Sequence, residues 1–470
     1  MISKIQKPAF ILLSFCLTLG LYWNSLHGEP VFDDFDFLFQ FNVIIDHFSF
    51  WTIFKDFCWP ISVSTEKILF NFWQHKYFNY HLLNLFLHFI NSFFLLKLVE
   101  RVKVPYPRFI FLLFLLHPSN VIAVSWMVQL KTLMCFTFSI LSIFLFLEAT
   151  QRKIYYLPSW FLFLLSTLSK ASSVPLSVLF LLYMYKKKEW GQILWVLPFL
   201  FISIFSVYRI LKSPVTVVGA NQLSSSTFIS DNKSPPSPDT NVKYLKPEEG
   251  SSLKEVIAKL EILLKTFHYY FSQVLLPLES VPLKGQSPSG LGWPAILQFI
   301  VLIALLVLNW RNMANLCLTL GCILLSPYLG IFSAPYMNVT WVSEQHLYLV
   351  LPFFLCFWLI LLANWKFKFA YVLPSLLIIF FSIQTHKASA YYQDEIVFYS
   401  KSLEANPQNL PVAYNLTTSY LKKNQPFKAM AVTGMIIEMS RTNSEIKSSK
   451  YFPRICELHR KMVEINLKKP

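Results

Sequence analysis

Apolar runs of about 14–20 residues recur along this chain with almost no charge inside them, and no other feature restricts the fold as much. A run of that kind is at ease only where hydrocarbon replaces water and the backbone satisfies its own polar groups as a helix. The runs fall at roughly 8–25, 81–99, 108–126, 128–148, 155–170, 172–185, 193–210, 293–309, 314–332, 346–364 and 369–384. They predict an all-α fold, a polytopic membrane helical bundle of about eleven spans, several short enough to tilt or break. Composition agrees: 55% of the 470 residues are hydrophobic and 14% charged, where a soluble domain carries about 25% charged residues. With 46 Phe and 11 Gly, the helices are bulky rather than glycine-packed.

A net charge of +16 would suggest nucleic acid in a soluble protein. Here the cations sit in short loops, which sets orientation and argues against a nucleic-acid partner. Lys4 with Lys7, then Lys97 to Arg108, Arg152 with Lys153, Lys186 to Lys188, Arg311, and Lys366 with Lys368 all fall on one side, the cytoplasmic one. Lys4 and Lys7 precede the first run, which reads as a retained helix without a small-x-small cleavage site. Five of the seven Cys lie inside apolar runs; Cys58 and Cys456 lie outside, and no C-x-x-C spacing occurs.

The opposite side carries two long loops, 27–80 and 211–292, the second with the flexible-looking SPPSPDTN stretch. Within it, residues 253–276 alternate apolar and charged positions at helical spacing, which suits a helix lying in the interface. Were it to span, Arg311 would change sides. The chain thus divides into a membrane domain, 1–387, and a polar helical tail, 388–470, on the extracytoplasmic side. In the tail, Asn406-Pro407 and Asn424-Gln425-Pro426 punctuate three helices. The spacing of Leu403, Ala405, Pro407, Ala413, Tyr414, Leu416, Tyr420 and Ala429 is similar to tetratricopeptide repeats. One or two such repeats need a neighbour, so the tail is expected to pack on the membrane domain or on a protein partner.

Chemistry concentrates in four segments. VFDDFDF places Asp33, Asp34 and Asp36 among phenylalanines just after the first run. Clustered carboxyls beside an apolar wall hold protons tightly and can accept one from a hydroxyl; a solvated acidic turn is the alternative. His81, Asn84, His88 and Asn91 share one helix face. They would line a cavity or glue helices, with His81 nearest the outer surface. His117-Pro118 ends one run, Lys131 enters the next, and Lys170 follows Ser169 between two more. Two cations at one membrane level suit a lipid phosphate, unless each merely snorkels. Glu344, His346 and Tyr348 open the run after Pro327, as substrate contacts or as interface anchors with Trp341.

Taken in order, DD at Asp33–Asp34, HLLNLFLH at His81–His88, HPSNVIAVSW through Lys131, LSK at Leu168–Lys170 and EQHLYL at Glu344–Leu349 resemble a known family. It is that of the multi-spanning protein O-mannosyltransferases with C-terminal tetratricopeptide repeats, and their bacterial relatives, of the GT-C glycosyltransferase fold. The resemblance covers about residues 30–425. It implies transfer of a sugar from a polyprenyl-phosphate donor to a protein or glycan acceptor on the extracytoplasmic side, with inversion. It also implies an Asp base at Asp33 or Asp34, and Lys131 and Lys170 on the phosphate. His81, His117, Glu344, His346 and Tyr348 would complete the substrate and lipid-phosphate contacts. No cofactor and no metal are expected, and the location would be a bacterial plasma membrane with the tail in the periplasm. The chain departs from the family at Ile122, Ala171 and Gln345, where two acids and an Arg are usual. That leaves an inactive scaffold of the same fold, acting through its tail, as the alternative.

Overall fold

The computed structural model describes residues 2–35, 38, 49–188, 190–212, 253–278, 280–285, 290, 292–308, 313–330, 337, 339–364 and 371–467. Asp36, the SPPSPDTN stretch, Arg311, Lys366 and Lys368 lie outside them, as do the side chains of Lys4 and Lys7. Among the described residues the chain is all-helical, with no strand.

Helices α1 (Ile2–Leu21), α2 (Phe50–Asp56), α3 (Pro60–Trp73), α4 (Tyr77–Arg101), α5 (Pro107–Leu115), α6 (Val121–Ser125) and α7 (Leu130–Ala149) come first. Next are α8 (Tyr156–Ser169), α9 (Leu176–Lys187), α10 (Leu197–Lys212), α11 (Leu253–Leu275), α12 (Trp293–Leu308) and α13 (Met313–Leu325). The last are α14 (Leu351–Asn364), α15 (Val372–Ser389), α16 (Glu395–Ala405), α17 (Leu410–Lys422), α18 (Pro426–Thr442) and α19 (Phe452–Leu467).

Of the predicted runs, three form helices long and apolar enough to cross a membrane: Tyr77–Arg101, Met127–Ala149 and Gly191–Lys212. A fourth, α5 with Pro118–Ser125, does so only across a 50° bend, and four further apolar helices are shorter. The runs at 155–170, 172–185 and 369–384 become helices of 14, 12 and 18 residues. The difference from a simple count has a local cause. Pro118 and Pro327 sit where a helix gives way to a tight turn, because proline lacks the N–H that would continue it, and Pro175 closes the turn that precedes α9.

Polarity is turned inside out. Leu13, Phe161, Phe201, Ile204, Ile300 and Ile379 are exposed on the outward faces, while Asn84, His88, Asn91, Ser139, Ser142 and Ser166 are buried. A water-soluble protein distributes these types the other way. The buried serines bond between helices: Ser139 meets Ser166 at 2.7 Å, and Ser142 donates to the Ser159 carbonyl at 2.8 Å.

The polar stripe of α4 answers the helix breaks. Asn84 donates to the carbonyls of Trp126 (3.2 Å) and Met127 (3.3 Å), where α6 has ended and α7 not yet begun. His88 bonds the Leu115 carbonyl at 3.0 Å through Nε2, and Tyr348 Oη at 2.8 Å through Nδ1. Asn91 donates to the Leu133 carbonyl at 3.1 Å and accepts from Thr137 at 2.7 Å. Carbonyls released by broken helices must find partners away from water, and Asn84 and His88 supply them, while Asn91 ties α4 to the body of α7.

Helix α11 is amphipathic along its length. Val256, Ile257 and Leu260 are exposed, whereas Phe267, Tyr270, Phe271 and Val274 enter the core, with Phe271 against Phe354 and Trp358.

In the tail, α16, α17 and α18 are separated at the two expected turns, with Asn424 left-handed at φ 56°. Asp394 caps α16 by accepting from Val397 N at 2.9 Å. The tail packs on the bundle. Gln393 O accepts from Glu29 N at 2.8 Å, Asn409 donates to the Val339 carbonyl at 2.9 Å, and Leu283 N donates to Ser402 Oγ at 3.3 Å. Gly28 allows the closest approach: a β-carbon there would collide with the Tyr392 backbone.

Candidate active site

The chain that follows the first helix turns back into the bundle immediately after Val31, because Asp34 is anchored there. One carboxylate oxygen of Asp34 accepts from Val128 N at 2.9 Å and the other from Val31 N at 3.1 Å. Val128 lies in the tight turn that opens α7, so the anchor draws the acidic loop onto the helix start that carries Lys131. Burial, together with the Asp33 carboxyl beside it, pushes the Asp34 carboxyl well above the usual carboxylate range, although the two backbone N–H groups pull the other way. Asp33 is 8% exposed and Asp34 fully buried. The pair therefore divides into a fully enclosed anchor and a slightly more accessible partner.

The two lysines meet close by. Lys170 follows the end of α8 in extended conformation and reaches across to Thr132 Oγ1 at 2.7 Å and Gln129 Oε1 at 3.5 Å, one residue on either side of Leu130–Lys131. Lys131 and Lys170 lie within electrostatic reach of each other. The Lys131 ammonium also lies 4.9 Å from the Trp59 ring centroid, a cation–π distance. Lys170 is buried and Lys131 half-buried, and keeping both charged so near one another is costly unless something anionic shares the site.

The sequence reading missed helix α3. Its buried face carries Trp59 at the cap, then Ser62 and Glu66, spaced three and four residues apart. Ser62 donates to the Ser169 carbonyl at 2.8 Å, which docks α3 beside Lys170. Glu66 then faces Lys131 and Asp33. Burial pushes the Glu66 carboxyl up to about 8, with Asp33 adding to the shift and Lys131 opposing it. A lone Glu at helical spacing from a Trp, within a helix whose other face exposes Ile68 and Phe72, was the available signal. Preceding it, Arg209 of α10 secures α2 by donating to the carbonyls of Phe54 and Phe57.

The raised Glu66 carboxyl has a consequence for stability. Between pH 4.5 and about 8 the unfolded chain has shed this proton and the folded protein keeps it. The folded state thus binds more protons, and its stability falls as pH rises through that window, having been complete below it. Glu66→Gln is expected to flatten this slope, by an amount of order a few kcal/mol across the window. Melting temperatures of both proteins in detergent, taken along a pH series, check it; parallel curves would contradict the assignment.

The other expected residues divide. His346 is stacked on Tyr328 at 3.8 Å between centroids and lies within electrostatic reach of Lys170, so it joins the cluster. Glu344 is bound into a pair with Lys284 at 3.1 Å and accepts from the Tyr269 hydroxyl. Its charge reaches Tyr392, which also senses Asp34. His81 is buried with its ring against the backbone of Gly28 and Ser125, one turn of chain from the acids. His117 and Tyr348 stand apart. His117 bonds the Val274 carbonyl at 3.1 Å and accepts from Ser119 N at 3.2 Å. The Tyr348 hydroxyl is engaged by His88 and Asn91, fully inside the core. Both serve the helix breaks rather than an open site.

Asp33, Asp34, Glu66, Lys131, Lys170 and His346 therefore share one polar niche where the helices of the bundle meet the segment that follows the first helix. Such a niche can hold an anionic group against the lysines and offer a carboxylate beside it. Among the described residues, no three His, Cys, Asp or Glu side chains are grouped as a metal site. No protein-family model, curated protein or solved structure matches this chain.

Proposed function

We propose that the protein is a membrane glycosyltransferase that moves a sugar from a polyprenyl-phosphate donor to a protein or glycan hydroxyl. The observation that carries this reading is the packing that gathers the groups of the niche: Asp34 on Val128 N, Lys170 on Thr132 Oγ1, Ser62 of α3 on the Ser169 carbonyl, and Lys131 over the Trp59 ring. Asp33 is the base: it is the more open of the two aspartates, and Asp34 spends both oxygens on backbone N–H groups. It takes the acceptor proton as the hydroxyl oxygen attacks the anomeric carbon, and the bond to the lipid phosphate breaks with inversion. Lys131 and Lys170 balance the charge growing on the departing phosphate. An apolar cavity of about 170 Å³, lined by Phe136, Ile140, Ile143 and Leu147 of α7, begins one turn beyond Thr132. It gives the hydrocarbon of such a donor somewhere to lie.

In this reading the bundle is of the GT-C kind and sits in a bacterial plasma membrane, with a tetratricopeptide-like tail outside. A scaffold without chemistry is the second reading. It draws support from the bonds that fasten the tail to the bundle and from Ala171, which leaves Lys170 no acidic neighbour in sequence. Incubating membranes with polyprenyl-phosphate carrying a labelled hexose decides between them. Label is expected in a protein or glycan fraction only when the protein is present; no transfer from any lipid-phosphate sugar would favour the scaffold.

A further inference from the structure

A cavity of about 520 Å³ lies away from this niche, in a groove between α1 and α4. Phe15, Phe86, Phe89 and Phe93 line its length, and Lys97 and Arg108 stand at one end. On α4 the lining runs from Phe86 to Glu100, about 21 Å at 1.5 Å per residue. That matches one leaflet of a bilayer, headgroups included, at about 20–22 Å. The groove opens outward past the exposed Leu12 and Phe86.

Its polar end is built from cations laid on aromatic rings. The Arg108 guanidinium is 5.5 Å from the Phe10 centroid, and the Lys97 ammonium 5.4 Å from that of Phe93. Glu100 also borders this end, paired with Lys97 at 3.2 Å. Arg108 thus carries the positive balance of the rim. By the distribution of loop cations, this end is the cytoplasmic one.

We infer that the groove is a binding site for one anionic phospholipid of the cytoplasmic leaflet, its acyl chain along the phenylalanines and its phosphate at Arg108. The chemistry selects this occupant. The walls are apolar for the length of an acyl chain, and charge of one sign predominates at one end only, at headgroup depth. An extended protein segment would bring backbone polar groups that these walls cannot satisfy. The site is separate from the proposed transferase niche and does not depend on it.

The test uses the full chain in detergent, titrated with phosphatidylglycerol or phosphatidylcholine of identical acyl chains, following the melting temperature. Phosphatidylglycerol is expected to reach half its effect at about fivefold lower concentration, the worth of one cation near an anionic headgroup. Arg108→Gln, at an exposed position, should abolish that preference without altering the melting temperature in detergent alone. Raising ionic strength should weaken the preference of the unmodified protein, which needs no variant at all. Equal effects of the two lipids, or a preference unchanged in Arg108→Gln, would overturn the inference. So would native mass spectra in which polyprenyl phosphate displaces the phospholipid, or in which a second copy of the chain occupies the face.

Discussion

Asp33→Asn is expected to slow sugar transfer by about 10²–10⁴-fold, the usual contribution of a positioned base, while leaving the protein folded. The reasoning is electrostatic. Asp33 sits beside two other carboxyls, Asp34 and Glu66, and each feels it as a like charge. Glu66 keeps its proton at neutral pH and Asp34 is raised in the same direction, so a neutral amide in place of the Asp33 carboxyl strands no charge among them and the variant should stay folded. Affinity for the lipid donor should persist, because the lysines are untouched. Asp34→Ala should behave differently. It leaves the N–H groups of Val128 and Val31 without their acceptor, at a cost of about 1–3 kcal/mol for each buried donor left unpaired. A loss of activity in Asp34→Ala accompanied by a lower melting temperature, and in Asp33→Asn without one, separates base from anchor. Full activity in Asp33→Asn would remove Asp33 from the mechanism.

Breaking the Lys284–Glu344 pair should have the largest effect on stability. Both side chains are nearly buried, at 9% and 4% exposed, and the loop that holds Lys284 ties three parts of the protein together. Lys284 N donates to Thr340 Oγ1, the Gly285 carbonyl accepts from Trp341 N, and Asn406 of the tail donates to the Lys284 carbonyl. Gly285 is left-handed at φ 67°, and a β-carbon there would strike Asn406. Lys284→Met strands the Glu344 charge in the interior, where the loss of one partner costs about 3–5 kcal/mol. The double change Lys284→Met/Glu344→Leu should recover most of it, since neither charge is then left alone. Chemical denaturation of the three proteins measures this. A single variant as stable as the parent would show that the pair is hydrated and weak.

Much of the architecture was legible because its signals are local. Proline and asparagine marked the tail turns, and apolar runs marked the helices of the bundle. What a hydropathy window does not register is a break inside a run, and here the turns at Pro118 and Pro327 interrupt runs that a count treats as whole. The α4 stripe was read as cavity lining or glue; Asn84 and His88 bond carbonyls at helix ends, and Asn91 bonds a carbonyl within α7. Asp33, Asp34, Lys131 and Lys170 were legible as candidates because charge is conspicuous beside apolar sequence. Glu66 and Lys284 were not. Their partners, Lys131 and Glu344, are 60 residues or more away along the chain, and nothing in the neighbouring residues announces such a pairing.

The niche itself is tested most directly by measuring how tightly the protein in nanodiscs binds sugar-free polyprenyl phosphate, beside polyprenol without the phosphate. Binding should depend on the phosphate and weaken by about tenfold or more for each of Lys131→Met and Lys170→Met, as loss of a charge-assisted bond implies. Asp33→Asn should bind as the parent does. Polyprenol binding equally well, or both lysine variants retaining full affinity, would contradict the account.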